Sequence, residues 1–174
     1  RLDNHMQENN LESHKQYAYK TGHSPELLLV NVVDKILNAF DKKLVTVLLL
    51  LDLSAAFDTV DQDKLLHMLY QDIGIGGTAY KWFVSFLKGR TQKIMINGAF
   101  SESVSLDFGV AQGSVLGPRL FNIYMRSFYP HVQDMTTFDV DGFADDHQLC
   151  QHFVAVFQSD VLGGQINDCL RNVS

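Results

Sequence analysis

The sequence predicts an α+β fold, a largely antiparallel sheet with helices packed on one face. Three observations predict it. The order of elements reads helix, strand, two helices, hairpin, helix, hairpin. Both hairpins are local, so their strands pair antiparallel. The most apolar run, Val45 to Leu51, is a strand that needs a sheet to bury it. With 174 residues, 46% of them hydrophobic and 20% charged, the chain can build such a core.

The elements follow in order. Residues 1–22 read as a short helix and a loop around Gly22. Ser24-Pro25-Glu26 then opens a helix, with Ser24 as the N-cap and Pro25 in the first helical position. Leu27, Leu28, Val32, Ile36 and Phe40 give its apolar stripe, which ends near Asp41. "LVTVLLLLDL" shows no alternation, so its strand is expected to be central or buried on both faces. It runs straight into Asp52 without a turn residue. "DQDKLLHMLYQD" is a helix capped by Asp61 or Asp63 and stopped at Gly74. "GTAYKWFVSFLKG" is another, capped by Thr78 and stopped by Gly89. Asn97-Gly98 marks a tight hairpin turn. After the loop "VAQGSVLG", Pro118 starts a helix to about Phe128. "TTFDVDGFADDHQLCQHF" reads as two strands around a turn near Ala144 to Asp146. The tail, 158–174, has a break at Gly163-Gly164 and a weak helix after it.

Composition excludes some classes. A net charge of −6 gives no global nucleic-acid signal. Lys81, Lys88, Arg90 and Lys93 nevertheless lie in a stretch without acids, where a local basic patch can form. No apolar run is long enough to span a membrane. Two cysteines, Cys150 and Cys169, form no disulfide framework and fit a reducing, intracellular compartment. The chain begins with Arg and is expected to be cut from something longer.

The chemistry concentrates in the acids. Asp145 and Asp146 stand side by side in an apolar segment, where an uncompensated charge costs several kcal/mol. Either they occupy a solvated turn or a cation binds there. Neighbouring strands could bring Asp52 to the same place. Three converging carboxylates would repel one another unless a hard divalent cation such as Mg²⁺ took their oxygens. Two such ions roughly 4 Å apart can hold the attacking and leaving oxygens of a phosphoryl transfer. The plain alternative makes Asp52 a helix cap and Asp145-Asp146 an exposed turn. His147, Cys150 and His152 offer a rival zinc set, but a strand puts only Cys150 and His152 on one face, and no fourth ligand is evident.

Four ordered segments, "LLLLDLSAAFDTVDQDKLL", "FLKGRTQKIMING", "FGVAQGSVLGPRLFNIY" and "FADDHQLC", resemble the reverse transcriptase of non-LTR (LINE-type) retrotransposons. The resemblance covers roughly residues 1–155. It implies a polymerase palm-like sheet, with 1–45 as the end of the fingers and lead-in helices, 46–157 as the palm, and 158–174 as a truncated tail toward a thumb. It implies that Asp52, Asp145 and Asp146 are catalytic metal ligands for two Mg²⁺ ions, with Mn²⁺ as a substitute. Asp145 is favoured over Asp146 as the direct ligand, because adjacent residues of an extended segment point to opposite sides. The Leu53 carbonyl could add an oxygen. Phe57 would lie under the sugar of the incoming nucleotide and leave no room for a 2′-hydroxyl; its plain reading is a core Phe on a helix after the strand. Gln112 and Gly113 would touch the templating base and the new pair, against the plain reading of a glycine-rich connection. Arg90, Lys93 and Lys20 would meet nucleic-acid phosphates, or else form solvated basic turns.

The implied partners are an RNA template, a DNA primer and deoxynucleoside triphosphates, and the implied site of action is the nucleus. Departures from the family pattern include Ala111, Arg119 and His147. Asp139 and Asp141 add acids to the strand before the turn, and with Arg119 are expected to loosen packing or disturb the local field. The isolated stretch is expected to be weak or inactive as a polymerase. The alternatives are a degenerate, non-catalytic palm remnant and an RNA-copying polymerase; Phe57 and the motif wording argue against the latter.

Overall fold

A computed structural model describes residues 1–154 together with Gly164 and Asn167. Cys169 and nearly all of the tail 158–174 lie outside the described residues. The chain divides into two compact units. One comprises Ser13–Ser54 and Met125–Ser174, the other Arg1–Glu12 and Ala55–Tyr124.

The first unit is built on an antiparallel sheet of three strands: β1 (Leu44–Asp52), β6 (Asp139–Phe143) and β7 (Asp146–Val154). Their order is β1-β7-β6. Helix α2 (Pro25–Asp41) packs on β1 and β6, and α6 (Phe128–Met135) packs on β6. Ser24 caps α2 by accepting from the Leu27 amide at 3.2 Å, as its position before Pro25 predicts.

Two expectations fail in this unit. Among the described residues β1 is an edge strand, neither central nor buried on both faces. Val45, Leu48 and Leu50 are exposed along it, Leu50 at 71%. A continuous apolar run cannot say which of its faces has a neighbour, so the inference of burial overreached. The buried stripe of α2 is Leu28, Val32 and Ala39, while Leu27 and Phe40 are exposed. Apolar residues surround this helix, and the sequence alone does not pick the face. Helix α6 was not foreseen. Its Pro130 falls in the first turn, where a missing N–H costs nothing, so Pro130 marks a start rather than a break.

The second unit is mainly helical. It holds α1 (Leu2–Glu8), α3 (Gln62–Gln71), α4 (Gly77–Leu87) and nearly all of α5 (Gly117–Met125). Asp61 caps α3, accepting from the Asp63 and Lys64 amides. The N-cap of α4 is Gly76, with no side-chain bond, rather than Thr78. Helix α5 ends at Met125, short of Phe128. Leu65, Leu69, Leu87, Leu120 and Phe121 form its fully buried core. Four short strands, β2 (Thr91–Gln92), β3 (Met95–Ile96), β4 (Ala99–Phe100) and β5 (Val104–Ser105), make the expected hairpin. Asn97 and Gly98 both have positive φ at its tip, as a primed turn requires.

Candidate active site

The β1–β7 register decides where the acids go. Leu49 pairs with Leu149, Leu51 with His147, and Asp52 with Asp146. Residues directly opposite on neighbouring strands project to the same face, so Asp52 and Asp146 form a carboxylate pair at the end of the sheet. Asp145 lies in the two-residue turn between β6 and β7, and its carbonyl accepts from the Leu53 amide at 3.4 Å. The sheet thus sets Asp52 opposite Asp146 and ties the Leu53 backbone to that of Asp145, while among the described residues no three acids converge as a metal-holding group. Asp52 and Asp146 are exposed and Asp145 is half-buried. Among the described residues, no Lys or Arg forms a salt bridge with any of the three acids. Their oxygens remain available to a cation or to water.

The turn is held from below by groups the sequence did not single out. Ala144 has a φ of +57°, a conformation that L side chains rarely adopt. The Gln16 side chain bonds both its amide and its carbonyl. His147, which is 1% exposed, uses Nδ1 to meet the Asp145 carbonyl at 2.9 Å. Its ring lies edge-on to Phe128, with centroids 4.8 Å apart. Burial pushes the His147 pKa down, outweighing the hydrogen bond to Asp145 and the nearby carboxylates. Burial, and then the Asp145 carboxylate, push the Tyr19 hydroxyl up. No sequence pattern flagged Gln16 or Tyr19, because their link to the turn exists only after folding.

The departures are accommodated rather than disruptive. Asp139 and Asp141 meet Lys15 and Lys35, which lie far away in sequence. Lys35 Nζ is 2.6 Å from Asp139 and also bonds Asp141, and Lys15 Nζ is 2.5 Å from Asp139. Asn31 donates to Asp141 at 3.2 Å. The expected field disturbance is therefore neutralised locally. In the other unit, Arg119 is held by Asp3 at 2.7 Å and Glu12 at 3.2 Å.

The remaining predicted residues divide between the units. Lys20 belongs with the acids in the first unit, where its Nζ donates to the Ser13 carbonyl at 2.9 Å. Phe57, Arg90, Lys93, Gln112 and Gly113 belong to the second. Phe57 lies in a turn, not a helix, and stacks on Phe121 with centroids 4.5 Å apart. Arg90 and Gln112 line one cavity of about 520 Å³, together with Asp58, Gln62 and Gln92. Lys93 is exposed. The loop before α5 is tied by Ser114, which donates to the Ala111 carbonyl at 2.7 Å and accepts from the Gly117 amide at 2.9 Å. A Cβ at Gly117 would come within 2.7 Å of that carbonyl, so glycine is required there. The zinc alternative has no support: among the described residues, no three His, Cys, Asp or Glu side chains converge to hold a metal.

An antiparallel sheet ending in paired acids, with helices against it, defines the polymerase-palm class of fold. The family described as reverse transcriptase (RNA-dependent DNA polymerase) matches residues 1–153, and the chain belongs to it. The chain is 30% identical over 156 residues to the probable RNA-directed DNA polymerase from transposon X-element of Drosophila melanogaster. It is 29% identical over 124 residues to that from transposon BS of the same species, and 31% over 116 residues to that from mobile element jockey. These matches cover 86%, 71% and 67% of the chain but only 17%, 14% and 12% of the relatives. Among solved structures, apo telomerase from Candida tropicalis, truncated from its C-terminal domain, shares the fold. Its TM-score is 0.63 at 14% identity, covering 98% of this chain and 35% of that one. Among the described residues, no helix is long and apolar enough to cross a membrane.

Proposed function

We propose that this chain is the palm-centred part of an RNA-directed DNA polymerase that adds deoxynucleotides to a primer 3′-hydroxyl. The observation that carries the reading is the Asp52–Asp146 pair on adjacent strands, with Asp145 in the adjoining turn. In this reading Asp52, Asp145 and Asp146 would hold two Mg²⁺ ions, or Mn²⁺ in their place, with the Leu53 carbonyl as a further oxygen donor. The donor chemistry fits, since these are hard oxygens free of cationic partners among the described residues. Such ions would supply charge neutralisation for an in-line phosphoryl transfer from which pyrophosphate leaves.

The chain's own residues do the positioning. Phe57, braced by Phe121, excludes a 2′-hydroxyl from beneath the incoming sugar. Gln112 hydrogen-bonds at the templating pair, and Gly113 lets the backbone come close. Arg90, Lys93 and Lys20 contact phosphates of the RNA template and DNA primer. Residues 1–45 supply the end of the fingers, 46–157 the palm, and 158–174 the approach to a thumb. The site of action is the nucleus.

One observation favours the second reading, a non-catalytic palm remnant: no preformed three-ligand metal cluster exists among the described residues. It weighs less than the paired acids, because Mg²⁺ is usually held by one or two carboxylates plus substrate phosphates. A primer-extension assay on the longer polypeptide containing this chain separates the two. The expected result is Mg²⁺-dependent extension with deoxynucleotides that Asp145→Asn abolishes. Unchanged extension by that variant overturns the metal assignment, and absence of extension from every such polypeptide favours the remnant. A preference for ribonucleotides overturns the role of Phe57.

A further inference from the structure

We infer that Gln16 is a positioning residue for the acid pair, fixing the backbone of the turn that carries Asp145 and Asp146. The inference rests on the reading of those acids as metal ligands, and goes beyond it in naming what aims them. Gln16 is 1% exposed and lies far from the turn in sequence. Its Oε1 accepts from the Ala144 amide at 2.9 Å and from the Ala18 amide at 3.0 Å. Its Nε2 donates to the Ala144 carbonyl at 3.1 Å and to the Tyr129 hydroxyl at 2.8 Å. A carboxamide has two donor hydrogens and two acceptor lone pairs, and all four are used.

Ala144 is the residue that needs holding. Its φ of +57° is costly for a residue with a Cβ, and glycine is the usual occupant of such a turn position. Strain of this kind persists only where the surroundings enforce it. Gln16 grips both polar groups of Ala144, directly before Asp145. The grip is anchored to the sheet, because the Tyr17 amide donates to the Gly142 carbonyl and the Gly142 amide to the Lys15 carbonyl, each at 2.8 Å. The segment Lys15–Ala18 therefore ties the end of β6 and the turn as one piece. Methionine at position 16 is of similar size and offers neither the two N–H donors nor the amide oxygen. The Ala144 amide and carbonyl would both lose their partner, so Gln16→Met tests the chemistry rather than the volume.

The test uses the 174-residue chain and two readouts. Amide hydrogen exchange at Ala144 and Asp145 reads the turn without any metal. Mn²⁺ affinity, followed by electron paramagnetic resonance, reads the acids. Gln16→Met is expected to lose amide protection at Ala144, whose N–H donates to Gln16 Oε1, and to weaken Mn²⁺ binding about 10- to 100-fold, the usual range for residues that orient metal ligands. Adding Ala144→Gly to Gln16→Met is expected to recover part of the Mn²⁺ affinity, because glycine takes a positive φ unaided. Wild-type exchange at Ala144 in Gln16→Met overturns the inference. So does unchanged Mn²⁺ affinity in that variant, provided Asp145→Asn reduces it. If Asp145→Asn leaves Mn²⁺ binding unaltered, the metal reading fails by itself, and Ala144 exchange alone then decides whether Gln16 sets the turn.

Discussion

Gly142 shows how closely side chains are fitted beneath the acid turn. A Cβ there would stand 2.8 Å from both His147 Cδ2 and the Tyr129 hydroxyl. Gly142→Ala should therefore cost about 1–3 kcal/mol, as overpacking does; a urea titration with an unchanged midpoint would refute this. Charge is fitted in the same way. Burial alone would raise the Asp139 carboxyl, but hydrogen bonds from Lys15 and Lys35 outweigh it and hold the pKa below its ordinary value. A carboxyl depressed in the folded state stabilises above its unfolded pKa of about 3.9 and loses that contribution as pH falls through the lower folded value. The melting temperature should thus drop on acidification below about pH 4. Lys35→Met should flatten that dependence and cost about 2 kcal/mol at neutral pH, less than the roughly 3–5 of a fully buried pair. Equal melting profiles for the variant and the parent chain would count against the pairing.

At the scale of elements, the sheet divides its leucines unequally. Leu149 on the central strand is fully buried, whereas Leu50 on the edge strand is 71% exposed. Leu149→Ala should cost about 2–5 kcal/mol, and Leu50→Ala no more than about 0.5. Comparable losses in thermal denaturation would mean that β1 is covered in solution. The apolar wording of β1 and α2 exceeds what their neighbours bury here. Their existence and type were legible from the sequence. The buried face was not, because apolar residues on every side carry no periodic signal.

For the molecule as a whole, a net charge of −6 means that the proposed nucleic-acid affinity would depend on a few placed cations. If Arg90 and Lys93 each contact a phosphate, replacing either with Ala should lower the salt slope of single-stranded RNA binding by about 0.7. A slope unaffected by both substitutions would remove them from the interface. In the structure Arg90 lines the cavity that includes Gln112, while Lys93 stands exposed.

The sequence by itself determined the helix start at Ser24, narrowed the next to Asp61 or Asp63, and placed the Asn97-Gly98 hairpin and the acids of the β1 end and the β6–β7 turn. These are local matters of caps, turn chemistry and motif wording, which survive without knowledge of neighbours. Only tertiary structure decided that β1 is an edge, that Asp146 faces Asp52, and that Lys15 and Lys35 neutralise Asp139 and Asp141. Only it placed Gln16 under Ala144. Register, burial and long-range hydrogen bonds arise when distant segments meet, and no window of sequence contains both partners.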